Sequence, residues 1–177
     1  MPQKNNYQLI TEKLLFIIML PIFLQFSCGQ ASNKKPSADT AKFETATLTV
    51  EIAKKHCLAI LLAKDGTINR KGSGVVDTAD KAFFMGITRD GVFDSLMGTV
   101  SDDLLAYSGK TDFNCDTTRQ TYIVRITFAD HTSAFGITYC VNGTIDDLPK
   151  PIREYITNAI KLTEPWYQAQ KKQVSKN

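Results

Sequence analysis

Every second residue between Thr45 and Ile52 is apolar, with Ala46, Leu48, Val50 and Ile52 on one side and Thr45, Thr47, Thr49 and Glu51 on the other. A period of two marks a strand buried on one face. Leu58–Ala63 is a continuous apolar run that ends at Lys64-Asp65-Gly66, a hairpin signal. With Gly66 in the left-handed position of a three-residue loop, Ile68 falls opposite Leu62 and Arg70 opposite Ile60. Lys71-Gly72-Ser73-Gly74 breaks the pattern and opens a loop, and Phe83–Ile87 reads as a further short strand.

Asp90 is placed to cap the helix that follows, since its carboxylate can accept the unpaired amides of the first turn. Val92, Phe93, Leu96, Met97 and Val100 share one face of that helix. Ser101–Tyr107 reads as a short capped helix, with the start of another strand as the alternative. Alternation returns at Tyr122, Val124, Ile126 and Phe128, and again at Phe135, Ile137 and Tyr139. Folding the chain at Asp130-His131 pairs Tyr122 with Tyr139, Val124 with Ile137 and Ile126 with Phe135, all on one face. Asp-His is a poor two-residue turn, so a four-residue loop with the same register stands beside it. Pro149 and Pro151 suit the start of a closing helix, Asp146 and Asp147 complement its positive end, and Ile152, Tyr155, Ile156, Ala159 and Ile160 form its apolar stripe. Thr163-Glu164-Pro165 then looks like a fresh cap and first turn, with Trp166 and Tyr167 packing back. The order of strands, helix, strands, helix gives an α+β class: an antiparallel sheet with two main helices on one face.

Ahead of these elements, Lys4 and Lys13 make a basic region before an unbroken apolar run, Leu14 to Leu24. That run is signal-length rather than long enough to span a bilayer, which takes about 20 residues. Its end, Leu24-Gln25-Phe26-Ser27-Cys28-Gly29, resembles the lipobox of bacterial lipoproteins. The family's pattern has Leu three positions before the Cys. Here Gln25 stands at that position and Leu24 one further back, while the small Ser27 and Gly29 fit. The resemblance implies a signal peptide over residues 1–27, cleavage before Cys28, and a diacylglyceryl group on the Cys28 thiol. Two or three acyl chains there would hold the protein at a lipid membrane, where a single chain is marginal. An ordinary cleaved signal with a free Cys, or an uncleaved anchor, is the alternative. Residues 28–43 then form a small, polar, flexible tether, residues 44–170 a single α+β domain, and residues 171–177 a basic tail. The expected address is the bacterial cell envelope, on the periplasmic face or the cell surface.

Charge narrows the partners. The chain carries a formal +3, and setting aside Lys4, Glu12 and Lys13 of the signal leaves +2. No Lys or Arg run exceeds a pair, so nucleic acid is not an expected partner.

Candidate chemistry is sparse. Cys115 lies in a polar loop just upstream of the hairpin, and Cys140 ends the hairpin's second strand opposite about Thr121. A Cys115–Cys140 disulfide is therefore geometrically cheap, and exported thiols tend to pair. Cys57, beside an apolar run, reads as a small buried hydrophobe. A nucleophilic pair of Cys57 or Cys115 with His131 has no local signature. A zinc site from His56, Cys57, Cys115, Asp116, His131 and Cys140 lacks paired ligand spacings. Asp102-Asp103 and Asp146-Asp147 sit where helix starts want negative charge. Asp112, Asn114 and Asp116 resemble part of a calcium loop but lack its glycine and distant glutamate. Gly72-Ser73-Gly74 lacks the residues of a phosphate loop, and Asn142-Gly143-Thr144 reads as a turn. No catalytic residue, metal or cofactor is expected. Phe83, Phe84, Tyr107, Phe113, Trp166 and Tyr167 are the aromatics that the periodic faces leave unexplained. They belong to the core or to an exposed patch for a partner.

The mature region also resembles small uncharacterised bacterial lipoprotein domains, notably in Lys64-Asp65-Gly66-Thr67-Ile68 and Leu162-Thr163-Glu164-Pro165-Trp166-Tyr167. These stretches are structural and imply no activity. The expectation is a non-enzymatic, membrane-tethered module that binds another envelope protein, as an inhibitor or immunity-type protein would. An envelope enzyme with an unlocated Cys- or Asp-based site, or a structural component of an envelope complex, are the alternatives. An enzyme requires a deep pocket where His131, Cys115 or the Asp pairs converge. A binder requires a shallow apolar patch on a sheet face or edge.

Overall fold

Among the described residues seven strands form one sheet, in the order β4-β3-β2-β1-β6-β7-β5. They are β1 Thr45–Ile52, β2 Lys55–Ala63, β3 Thr67–Lys71, β4 Phe83–Ile87, β5 Thr111–Asp112, β6 Thr121–Ala129 and β7 Ala134–Asn142. The computed structural model describes residues 40–75, 82–89, 91–112, 115–116 and 121–175. Six of the strands run antiparallel to their neighbours, and the two-residue β5 lies parallel to β7 at one edge. The helices are α1 Val92–Met97, α2 Asp102–Leu105 and α3 Lys150–Val174.

The alternation in β1 works as its sequence predicts: Ala46, Leu48, Val50 and Ile52 are buried and the residues between them are partly exposed. Leu58, Ile60 and Leu62 of β2, Ile68 of β3, and Tyr122, Val124, Ile126 and Phe128 of β6 extend that buried face. Phe93, Leu96 and Met97 of α1, Leu104 and Leu105 of α2, and Ile152, Tyr155, Ile156 and Ala159 of α3 close over it. Phe128 and Tyr155 meet edge to face with ring centroids 5.4 Å apart. The result is an α+β fold with the helices on one side of the sheet.

The β2–β3 hairpin has the expected register, with Leu62 opposite Ile68 and Ile60 opposite Arg70. Gly66 takes the positive φ, 88°, that this loop requires. The β6–β7 hairpin differs from expectation by two residues. Val124 faces Tyr139, Ile126 faces Ile137 and Phe128 faces Phe135, so Cys140 lies opposite Ile123 rather than Thr121. The loop is Asp130–Ser133. Asp130 Oδ1 accepts from the Thr132 and Ser133 amides at 2.6 and 2.7 Å, and its Oδ2 from the Ser133 hydroxyl at 2.9 Å. These bonds centre the turn between His131 and Thr132, and they hold the Asp130 carboxyl well below its usual range. A shift of two preserves every side chain's face, which is why alternation alone could not detect it.

Two helix expectations are also corrected. Thr163 does not begin a new helix: α3 is continuous, with Pro165 inside it, and runs into the stretch read as a basic tail as far as Val174. Asp146 and Asp147 belong to a separate 3₁₀ turn, Ile145–Asp147, where Asp147 and Thr144 form a capping box. Asp90 lies outside the described residues, and Gly91, which offers no side-chain bond, holds the cap position of α1. Ser101 caps α2 by accepting from the Leu104 amide at 3.2 Å.

Two local features shape the far end of β1 and β2. A bulge at Cys57 sets Val50 opposite Leu58 but Glu51 opposite His56, and it turns Cys57 into the core beside Leu58. The turn between these strands is Ala53-Lys54, both with positive φ, 48° and 64°. That conformation suits Asn-Gly and costs other residues about 1–2 kcal/mol each. Replacing the pair by Asn-Gly is expected to stabilise the domain by about 1–2 kcal/mol in urea unfolding. An unchanged midpoint would show that the turn carries no strain.

Candidate functional site

Among the described residues, the side chains with nucleophilic or ligating chemistry do not converge. His131 stands exposed at the hairpin tip with its Nε2 2.9 Å from Glu44 Oε2. Cys115 and Cys140 form a disulfide with Cα atoms 5.9 Å apart. Cys140 lies six residues along β7 from the Ala134 end, about 20 Å from the tip that carries His131. Cys57 is buried, and its thiol donates to the Lys55 carbonyl at 3.2 Å. Its neighbour Tyr122 is pushed up to about 12 by burial and by proximity to Cys57. His56 is exposed, 3.9 Å from Glu51, which also lies 3.6 Å from Arg125. Asp102 and Asp103 occupy the first turn of α2, and Asp146 and Asp147 that of the separate 3₁₀ turn. Asp116 is exposed; Asn114 and Phe113 lie outside the described residues, as does Cys28 with its whole segment. Among the described residues no three His, Cys, Asp or Glu side chains are grouped to hold a metal. A cavity of about 290 Å³ beside Phe43, Phe93 and Met97, and one of about 470 Å³ beside Ile160 and Pro165, gather none of these candidates.

What the fold does assemble lies at the β4 edge, and it starts from a buried cation. Arg70 follows Ile68 on the inward face of β3 and is fully buried. Its Nη1 donates to the Thr163 hydroxyl at 2.8 Å and the Ile160 carbonyl at 3.3 Å, and its Nη2 pairs with Glu164. Its guanidinium carbon sits 4.5 Å from the centre of the Tyr167 ring. Pro165 has no N–H to give the Lys161 carbonyl, and Arg70 reaches the helix one residue earlier, at the Ile160 carbonyl. Thr163, read from sequence as a cap, is buried and donates its hydroxyl to the Ala159 carbonyl at 2.7 Å.

The same turn of α3 fixes β4. Tyr167 packs edge to face on Phe84 at 5.5 Å, and its hydroxyl accepts from the Gly72 amide and donates to the Ala82 carbonyl. Trp166 lies against Gly86, where an added Cβ would meet its ring at 3.2 Å, and its Nε1 donates to the Ile87 carbonyl at 3.1 Å. The inward side of β4 is thereby committed to the helix.

Its outward side is not. Phe83, Met85 and Ile87 are 52%, 69% and 66% exposed, and they account for three of the five large apolar side chains left exposed among the described residues. They alternate along an edge strand, so they form one continuous row on the open face of the sheet. Their cross-strand neighbours on β3 are Lys71, Asn69 and Thr67. Of the aromatics left unexplained by periodicity, Phe84, Trp166 and Tyr167 thus pack inward or against the edge, and Phe83 belongs to the exposed row. The alternation that makes this row is visible in Phe83–Ile87, but its exposure depends on the strand's place at the edge. No protein-family model matches the chain, and a search of curated proteins finds no match to it.

Proposed function

We propose that the mature chain is a membrane-tethered envelope lipoprotein domain that works by binding another protein, without catalysis, through the outer face of β4. The observation that carries this reading is the Phe83, Met85 and Ile87 row. An apolar, unblunted edge strand is an aggregation liability that natural proteins cover or charge. Its retention beside a carefully braced inner side fits a surface kept for a partner. Inhibition or immunity is one form such binding takes. The tether follows from the lipobox-like Leu24–Gly29 segment, with Cys28 carrying the acyl chains that bring the domain to an envelope membrane.

A photo-crosslinking amino acid placed at Met85 in cells is expected to give one discrete adduct in the membrane fraction. The adduct is lost when Phe83→Ser and Ile87→Ser are added. Identical products from Met85 and from the exposed Glu154 of α3 would reject the surface. Cys28→Ser is expected to release the protein from membranes, and mass spectrometry of the mature terminus to find a diacylglyceryl-modified Cys28. An unmodified thiol there would reject the anchor.

A further inference from the structure

We infer that β4 takes its partner by strand addition: an extended, acid-ended segment of another protein lies antiparallel along the outer edge and becomes an eighth strand. This rests on the Phe83–Met85–Ile87 row as the binding surface and adds the mode and chemistry of the occupant. The register of β3 on β4 decides which backbone groups are on offer. The Thr88 amide donates to the Gly66 carbonyl at 2.8 Å, so by alternation Gly86 with Ile68 and Phe84 with Arg70 are the hydrogen-bonded pairs. Phe83, Met85 and Ile87 therefore point their N–H and C=O groups away from β3. Trp166 occupies the Ile87 carbonyl and closes that end. Phe83 and Met85 keep both groups without a partner among the described residues. An incoming strand can exchange two bonds with each, and its residues opposite them add apolar side chains to the same row.

Charge chooses the occupant. Lys71 lies across from Phe83, and the exposed Arg89 follows two residues after Ile87; neither makes an ion pair among the described residues. The outward positions of β3 and β4 carry no acid. Cations at both ends of an apolar row fit a segment with alternating apolar residues and a carboxylate towards each end. A second copy adding its own β4 brings Asp80 and Asp90 beyond the strand's ends, but with them Lys81 and Arg89, so neither of its ends carries a net acid.

The test pans a displayed library of random twelve-residue peptides against the full chain in detergent micelles. Enriched peptides are expected to alternate apolar residues between acidic ends. They should bind Met85→Pro more than about tenfold more weakly, while Met85→Val, which keeps the outward N–H, weakens them by less. Proline at Met85 removes only an outward N–H, so the ladder to β3 persists, which circular dichroism and urea unfolding check. Peptides that bind Met85→Pro undiminished but lose Phe83→Ser/Ile87→Ser would overturn strand addition and leave the apolar row as the surface. No enrichment over the Met85→Pro chain overturns strand addition too, and the Met85 crosslink then decides separately whether the row itself stands. Sedimentation showing a dimer that Met85→Pro dissolves would assign the edge to a second copy and overturn the acid-ended partner.

Discussion

Glu164→Ala is expected to destabilise the domain by about 3–5 kcal/mol, towards the lower figure because the carboxylate is partly open to water. The cost arises less from the lost attraction than from what remains. Arg70 would stay fully buried with its charge uncompensated, and its Nε already lacks a partner. Arg70→Met with Glu164→Gln removes both charges at similar volume and is expected to recover most of the loss. Urea unfolding of the two variants with an unchanged slope checks this. A cost under about 1 kcal/mol for Glu164→Ala would show that the buried guanidinium is satisfied by Thr163, Ile160 and the Tyr167 ring alone. The pair also sets a pH dependence. Burial by itself would raise the Glu164 carboxyl. Hydrogen bonds from Gln168 and Arg70 and the charges of Arg70 and Lys171 outweigh it and hold the group below its ordinary 4.5. A depressed carboxyl contributes stability that is present above its unfolded value and lost as pH falls through the folded one. The stability of the parent chain should therefore hold at neutral pH and decline below about pH 4.5, and Glu164→Gln should flatten part of that decline.

Removing the Cys115–Cys140 disulfide, by paired serine substitution or by reduction, is expected to cost about 3.5 kcal/mol, the chain-entropy value for a 25-residue loop. Cys140 is buried on β7 opposite Ile123, and β5, only two residues long, reaches the same strand through its parallel pairing with Thr138 and Tyr139. So short a strand pairs with β7 over two residues only, and the covalent link lies three residues beyond its end. Amide exchange should accelerate in β5 and the Cys140 end of β7 while β1, β2 and β3 keep their protection. A loss below about 1 kcal/mol, or exchange that rises evenly over the sheet, would show that the reduced chain keeps the loop in place by packing.

These two features mark where the sequence is legible and where it is not. Asp65-Gly66 and the run before it specify the β2–β3 register, because turn chemistry and burial agree at one spacing. That register already places Arg70 inward, but nothing local announces Glu164, 94 residues away, as its partner. The same distance hides the role of Thr163, whose neighbours Glu164 and Pro165 imitate a helix start. In the β6–β7 hairpin the faces are legible and the register is not, because Asp130 organises a loop through Thr132 and Ser133 that a period of two cannot see. The candidate surface is half legible. Phe83, Met85 and Ile87 alternate plainly, yet their exposure follows from the strand order, which is decided by β1 pairing with β6 rather than by β4 itself.

That central place of β1 has a mechanical consequence. The chain passes from the 3₁₀ turn at Thr40–Lys42 almost directly into β1, which is hydrogen-bonded along its length to β2 on one side and β6 on the other. A pull on the residues preceding Thr45 is therefore directed along β1, against two ladders loaded in shear, and does not peel a strand from the rim one bond at a time. The domain is attached to whatever drags on its amino-terminal side by the strand best placed to resist.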